Sequence, residues 1–243
     1  MNLSKVRMVL IATSHAGNIG AAARAMKNMG LERLYLVAPR DFPSEEALVR
    51  ASGATDVLDQ AVVCDSLAEA LQGVGVVYGS SARQRTLAWP EVDVRGCAEQ
   101  VSEVTLQDEV AIVFGRERIG LTNEELQLCH TLLHIPTNPD YSSLNVASAV
   151  QVVAYELRMA FLSSESAPVV EPVAADALAR AEEMAHFYTH LEQTLVELEF
   201  LDPKNPRQLM PRLQRFFHRS QPTQLELGML RGILSAALKK KKA

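Results

Sequence analysis

Arg24 stands about one turn beyond two glycines that open a helix, in Gly17-Asn18-Ile19-Gly20-Ala21-Ala22-Ala23-Arg24. A guanidinium presents five donors in a planar fork suited to phosphate, and with a pKa above about 12 it does not ordinarily act as a base. The free N–H groups and dipole of a helix start attract anions too, so the segment suits a phosphate; the glycines equally suit close packing of helix on strand. Three other small-residue segments resemble it. Gly79-Ser80-Ser81-Ala82-Arg83-Gln84-Arg85 carries two arginines, and Gly115-Arg116-Glu117-Arg118-Ile119-Gly120-Leu121 carries Glu117, which on its own reads as an ordinary acid at a helix start. Tyr141-Ser142-Ser143-Leu144-Asn145-Val146-Ala147 joins a Pro/Asn-rich corner to an apolar helix that Ser142 or Ser143 can cap. Neither the dinucleotide pattern GxGxxG nor a Walker sequence is present. His186 and His190 share a helix face without a third ligand in sequence, and read as surface or packing residues rather than zinc ligands.

These segments need elements to hold them. Apolar runs at 6–12, 34–38, 74–78, 109–114 and 132–135 read as strands, and helical stretches lie between them. Ser66 and Thr122 are placed to cap two of the helices. Strands alternating with helices predict an α/β fold with a mainly parallel sheet, whose ligands sit at the carboxyl ends of the strands. All four segments fall at such ends. A Ser/Pro/Glu-rich linker over 164–173 separates a first domain, 1–163, from a basic helical domain, 174–243. The latter reads as a long amphipathic helix over 174–200 and two shorter ones near 206–218 and 223–238.

At 243 residues, 48% hydrophobic and 22% charged, the chain has an ordinary globular composition. No apolar run approaches the roughly 18 residues of a membrane span, and no cleavable leader is evident, so a cytoplasmic protein without a membrane partner is expected. Cys64, Cys97 and Cys129, odd in number and far apart, predict reduced buried thiols. The net charge is −5, yet from Asp202 onward ten bases face two acids, leaving +8 there and −13 on the rest. That end can hold a polyanion, or it can be a solvated surface with a lysine tail.

Together, Asn18 to Arg24, Phe114 to Leu121 and Ser142 to Ala147 with Ala149 resemble, in order and separation, the motifs of the SPOUT methyltransferases of the TrmH-like branch. Thr13-Ser14-His15, the turn from Gly79 to Arg83 and the helical extension are similar to the bacterial tRNA 2′-O-methyltransferases acting at position 32 of the anticodon loop. The resemblance implies a deep trefoil knot over about 114–144, bent S-adenosylmethionine within it, and a homodimer whose sites use both subunits. By motif match the cofactor falls on Ser80, Ser81, Ala82, Gly115, Ile135, Ser142, Ser143 and Leu144. Arg24 falls on the essential arginine, and Asn18, Glu117 and Asn145 on site-shaping positions. Arg83, Arg85 and Arg116 would track RNA; no metal is required, and DNA, lacking the 2′-hydroxyl, would not serve. Other readings are a TrmH-like enzyme for another tRNA position or ribosomal RNA, and a non-catalytic RNA-binding protein on this fold.

Overall fold

The computed structural model of the chain describes residues 1–81, 89–165 and 177–242. Seven strands, β1 (Val6–Ile11), β2 (Arg33–Val37), β3 (Val62–Cys64), β4 (Val74–Ser80), β5 (Glu91–Asp93), β6 (Glu109–Phe114) and β7 (Thr131–His134), form one sheet in the order β3-β2-β1-β6-β4-β7-β5. Every pairing is parallel. Helices α1 (Ala16–Asn28), α2 (Glu45–Ala51), α3 (Thr55–Asp59), α4 (Leu67–Ala70), α5 (Val94–Val104), α6 (Asn123–Leu126) and α7 (Val146–Glu165) connect and cover it. The expected α/β class is therefore what the chain adopts. β5 is an addition: three residues are too few to show an alternation, and they stay paired because β7 offers an open edge.

The strands read as continuous apolar runs because both faces are covered. Along β1, Met8 and Leu10 join one core layer with Ala22, Met26, Val150 and Val153 from α1 and α7. Val9 and Ile11, pointing the other way, join a second layer with Leu67, Leu71 and Leu126. Residues 146–164 of α7 reach a mean hydropathy of 1.2, enough by length and composition for a membrane span, although the sequence shows no uninterrupted run. In this fold α7 is a core helix packed on α1 and α5, with Val150, Ala154 and Leu157 buried. The three cysteines are buried and free, as expected.

Beyond the sheet, α8 (Ala181–Glu197), α9 (Leu209–Ser220) and α10 (Gln224–Lys242) make a small bundle around Met184, Phe187, Leu191 and Leu227. The expected helix over 174–200 is shorter. Residues 174–176 lie outside the described chain, and Leu178 is extended, bridged to Thr223, so that helix begins only at Ala181. Residues 164–165, expected to begin the linker, close α7; most of the remaining linker lies outside the described residues.

The bundle docks on the sheet unit through buried histidines. His218 Nε2 donates to the Gln127 carbonyl at 2.8 Å, and the His218 ring meets His130 edge to face at 4.8 Å. His130 in turn accepts from the Val77 N–H at Nδ1, 3.0 Å away. Burial, with each ring beside the other, pushes His130 down to about 3, and burial pushes His218 down to about 4. The unfolded chain takes up these protons below about pH 6.5, so their contribution is fully present above that pH and is lost as the pH falls toward 4. Thermal unfolding followed from pH 7 to 5 should show stability falling by about 1.4 kcal/mol per pH unit for each histidine below pH 6.5. A flat stability across that window would contradict this packing.

Candidate active site

A cavity of about 350 Å³ opens at the carboxyl ends of β4, β6 and β7, where the segment 142–144 and the first turn of α7 close over it. Ser80, Ser81, Gly115, Ile135, Ser142, Ser143 and Leu144 all line it. They come from segments up to 64 residues apart in sequence, and parallel strand order alone brings them together. Ala82, Arg83 and Arg85 lie outside the described residues. Gly79 and Ser80, read as a turn, continue β4, and Ser81 N–H donates to the Leu133 carbonyl at 3.0 Å.

The wall formed by residues 115–121 is a tight ring. Arg116 and Gly120 exchange backbone hydrogen bonds of 3.2 and 2.9 Å, with Gly120 at φ 73°. A Cβ on Gly115 would sit 2.2 Å from the Gly120 carbonyl carbon, so only glycine closes this ring. Arg116 leaves the ring toward α6, where its guanidinium pairs with Glu125 at 2.9 Å. Glu125 also accepts from the Thr122 N–H, completing the capping box of α6. The charge of Arg116 is thus matched within the chain, and its side chain is partly buried.

Glu117 has a larger part than an acid at a helix start. Its carboxylate accepts from the Ser14 N–H at 3.1 Å and from Asn18 Nδ2 at 3.2 Å. Burial alone would raise its pKa, but hydrogen bonds from its own backbone, Asn18 and Ser14 outweigh that and hold the carboxyl below its usual range. Asn145 Nδ2 donates to Asn18 Oδ1 at 3.0 Å, while Asn145 Oδ1 accepts from the Ala147 N–H at 2.9 Å. Asn145, not Ser142 or Ser143, therefore caps α7, because those serines stay on the cavity wall. The structure brings together the three residues expected to shape the site, and three of the four segments, in one network. Ser14, read only as part of a lead-in, was given no place in the site: it acts through its backbone N–H, which no side-chain type announces. Thr137, also missed, braces the corner by donating to the Ser142 carbonyl at 3.2 Å.

The glycines of α1 face α2. A Cβ on Gly20 would lie 2.0 Å from the Ala47 carbonyl oxygen, so this glycine lets α2 cross α1 closely, helix on helix. Arg24 stays apart from the cavity. Six residues beyond Asn18, it lies about 9 Å further along α1 and some 120° around it. Its side chain is exposed, does not line the cavity, and makes no hydrogen bond or ion pair among the described residues.

Apolar walls, serine hydroxyls and backbone groups suit a nucleoside-sized ligand. Among the described residues the lining holds no histidine, cysteine or lysine, so they build neither a histidine- or lysine-based nucleophile–base pair nor a metal set into it. Residues 5–155 match the SpoU rRNA Methylase family, and residues 182–243 match the C-terminal domain of the tRNA methyltransferase TrmJ. The chain belongs to the SpoU methylase family. It is 52% identical to the tRNA (cytidine/uridine/adenosine-2′-O-)-methyltransferase TrmJ of Pseudomonas aeruginosa, over 98% of this chain and 95% of that protein. It is 49% identical to the tRNA (cytidine/uridine-2′-O-)-methyltransferase TrmJ of Photorhabdus laumondii, over 98% of each. The crystal structure of TrmJ from Z. mobilis superposes with a TM-score of 0.81 at 34% identity, covering 95% of this chain and 97% of that one. Within the SpoU family, then, the chain is a member of the TrmJ group.

Proposed function

We propose that this chain is a cytoplasmic homodimer that methylates the ribose 2′-oxygen at position 32 of the tRNA anticodon loop, using S-adenosylmethionine. The observation that carries the reading is the cavity itself: every described residue expected to hold the cofactor lines it, and the Glu117, Asn18, Asn145 network braces its rim. The fit is good in kind as well. Ser142 and Ser143 offer polar groups, Leu133, Ile135 and Leu144 offer apolar surface, and the cavity is large enough for a nucleoside. When bound, the cofactor supplies an already activated methyl group, so neither a metal nor a nucleophilic side chain is needed.

What remains for the protein is alignment, exclusion of water and the fate of one proton. Arg24 grips the phosphate beside the target ribose and orients the 2′-hydroxyl, whose proton passes to that phosphate or to a water. A guanidinium is a poor base, and Arg24 lies exposed, so its part is to grip and orient. The place of Arg24 outside its own chain's cavity supports a site completed across a dimer. So does the row Val152, Tyr155, Met159 and Leu162, which shares one exposed face of α7. The segment 114–144, wrapping the cavity between β6 and α7, is the stretch we read as knotted. The sheet unit, 1–163, does the chemistry. The bundle, 174–243, with its surplus of positive charge, holds tRNA beyond the loop, and the 2′-hydroxyl nucleophile excludes DNA.

Mixed dimers test the shared site. An Arg24→Ala chain paired with a Ser142→Trp chain should recover about half of wild-type transfer, since one of the two sites regains a sound cavity and a sound arginine. Recovery of none would place Arg24 in its own chain's site.

A further inference from the structure

A second cavity, about 280 Å³, lies at the seam between the bundle and the sheet unit, and shares no lining residue with the first. One face of α8 forms much of it: Met184, Ala185, Tyr188, Thr189 and Glu192 recur at helical spacing. Gln214 and His218, a turn apart on α9, close the opposite side.

Two buried acceptors here have no hydrogen-bond partner. The Gln127 carbonyl can only accept, so His218 Nε2 carries the proton of the neutral ring and Nδ1 is left with a lone pair. His218 is 3% exposed, yet its Nδ1 has no hydrogen-bond partner, and neither has the buried Gln214 Oε1. Burial keeps this imidazole neutral at physiological pH, so it cannot turn donor there. Glu124 and Glu192 add carboxylates to the lining, which contains no lysine or arginine among the described residues. An unpartnered buried acceptor is costly, and a cavity that sets two of them beside carboxylates, thioethers and an aromatic ring suits a donor-rich cation.

We propose that this seam cavity binds a primary ammonium group, with Gln214 Oε1, His218 Nδ1 and the Glu192 carboxylate receiving its three N–H donors and Met184, Met210 and Tyr188 packing its alkyl stem. An ammonium has three donors and no acceptor, and its compact charge suits a tripod of acceptors better than a planar guanidinium does. A free aliphatic polyamine or the lysine tail of a second copy of this chain can supply the group.

Calorimetry on the full chain at 150 mM salt separates these sources, with spermidine as one probe and the peptide Lys-Lys-Lys-Lys-Ala, matching residues 239–243, as the other. Saturable binding of one equivalent of either probe is expected, weakened at least tenfold by Gln214→Leu and by Glu192→Gln while S-adenosylmethionine binding is unchanged. Spermidine binding assigns the free amine; peptide binding alone assigns the tail. Should Gln214→Leu fail to fold, Met210→Trp fills the cavity without removing an acceptor and should abolish binding. No binding of either probe at millimolar concentration, or binding that survives these substitutions, overturns the proposal. So does a crystal grown with whichever probe binds that shows only water against His218 Nδ1.

Discussion

Arg24→Lys is expected to lower methyl transfer to tRNA by roughly 10²–10³-fold, the range for losing one oriented donor at a reacting centre. Lysine keeps the charge but not the planar fork, so it can neutralise a phosphate without fixing the adjoining ribose. Because Arg24 is exposed and unpartnered among the described residues, the substitution should leave stability within about 0.5 kcal/mol of wild type. Because it does not line the cavity, S-adenosylmethionine affinity should also be unchanged. Single-turnover transfer, calorimetry and thermal unfolding on the same preparation check the three statements. A rate close to wild type would remove Arg24 from the chemistry, and a lost cofactor affinity would place it in the wrong site.

Gly115→Val should do the reverse, weakening cofactor binding at its source. The new side chain would meet the Gly120 carbonyl carbon at 2.2 Å and the Leu121 nitrogen at 2.4 Å, both backbone atoms that cannot rotate away. Relief requires the ring of 115–121 to open, carrying with it a wall of the cavity and the Glu117 carboxylate that holds Ser14 and Asn18. Overpacking of this kind costs about 1–3 kcal/mol, and a cavity deformed to the same extent loses about 100-fold in affinity. Binding of tRNA, which we assign to the bundle, should persist. Affinity for S-adenosylmethionine within threefold of wild type would mean that the ring is not part of the cofactor site.

The strand ends were legible because buried parallel strands leave uninterrupted apolar runs, and the small residues that follow them stand out. Val6 to Ile11 and Glu109 to Phe114 are such runs, and the cavity lies where they end. Which residue capped α7 was not legible: serine and asparagine cap equally well in isolation, and Asn145 is selected by its bond to Asn18, 127 residues away. The part played by Glu117 is hidden for the same reason, since its partners lie 99 and 103 residues back in the chain. Gly17 and Gly20 left two readings open, because a glycine pair that admits a neighbouring element looks the same in sequence as one that admits a phosphate; at Gly20 the neighbour is a helix, not a strand. His218 and His130 were invisible, as a lone histidine carries no signal until the fold sets it against Gln127 and another ring.

Transcripts that differ by a single oxygen decide the matter most directly. A tRNA lacking only the 2′-hydroxyl of nucleotide 32 is compared with the same tRNA made wholly of ribonucleotides, each incubated with the protein and methyl-labelled S-adenosylmethionine without added metal. Label should enter the all-ribose tRNA and appear as a 2′-O-methyl nucleotide at position 32, while the deoxy-substituted tRNA, which still binds, stays unlabelled. Equal labelling of both, or no labelling of either, would contradict the assignment of this chain as a position-32 ribose methyltransferase.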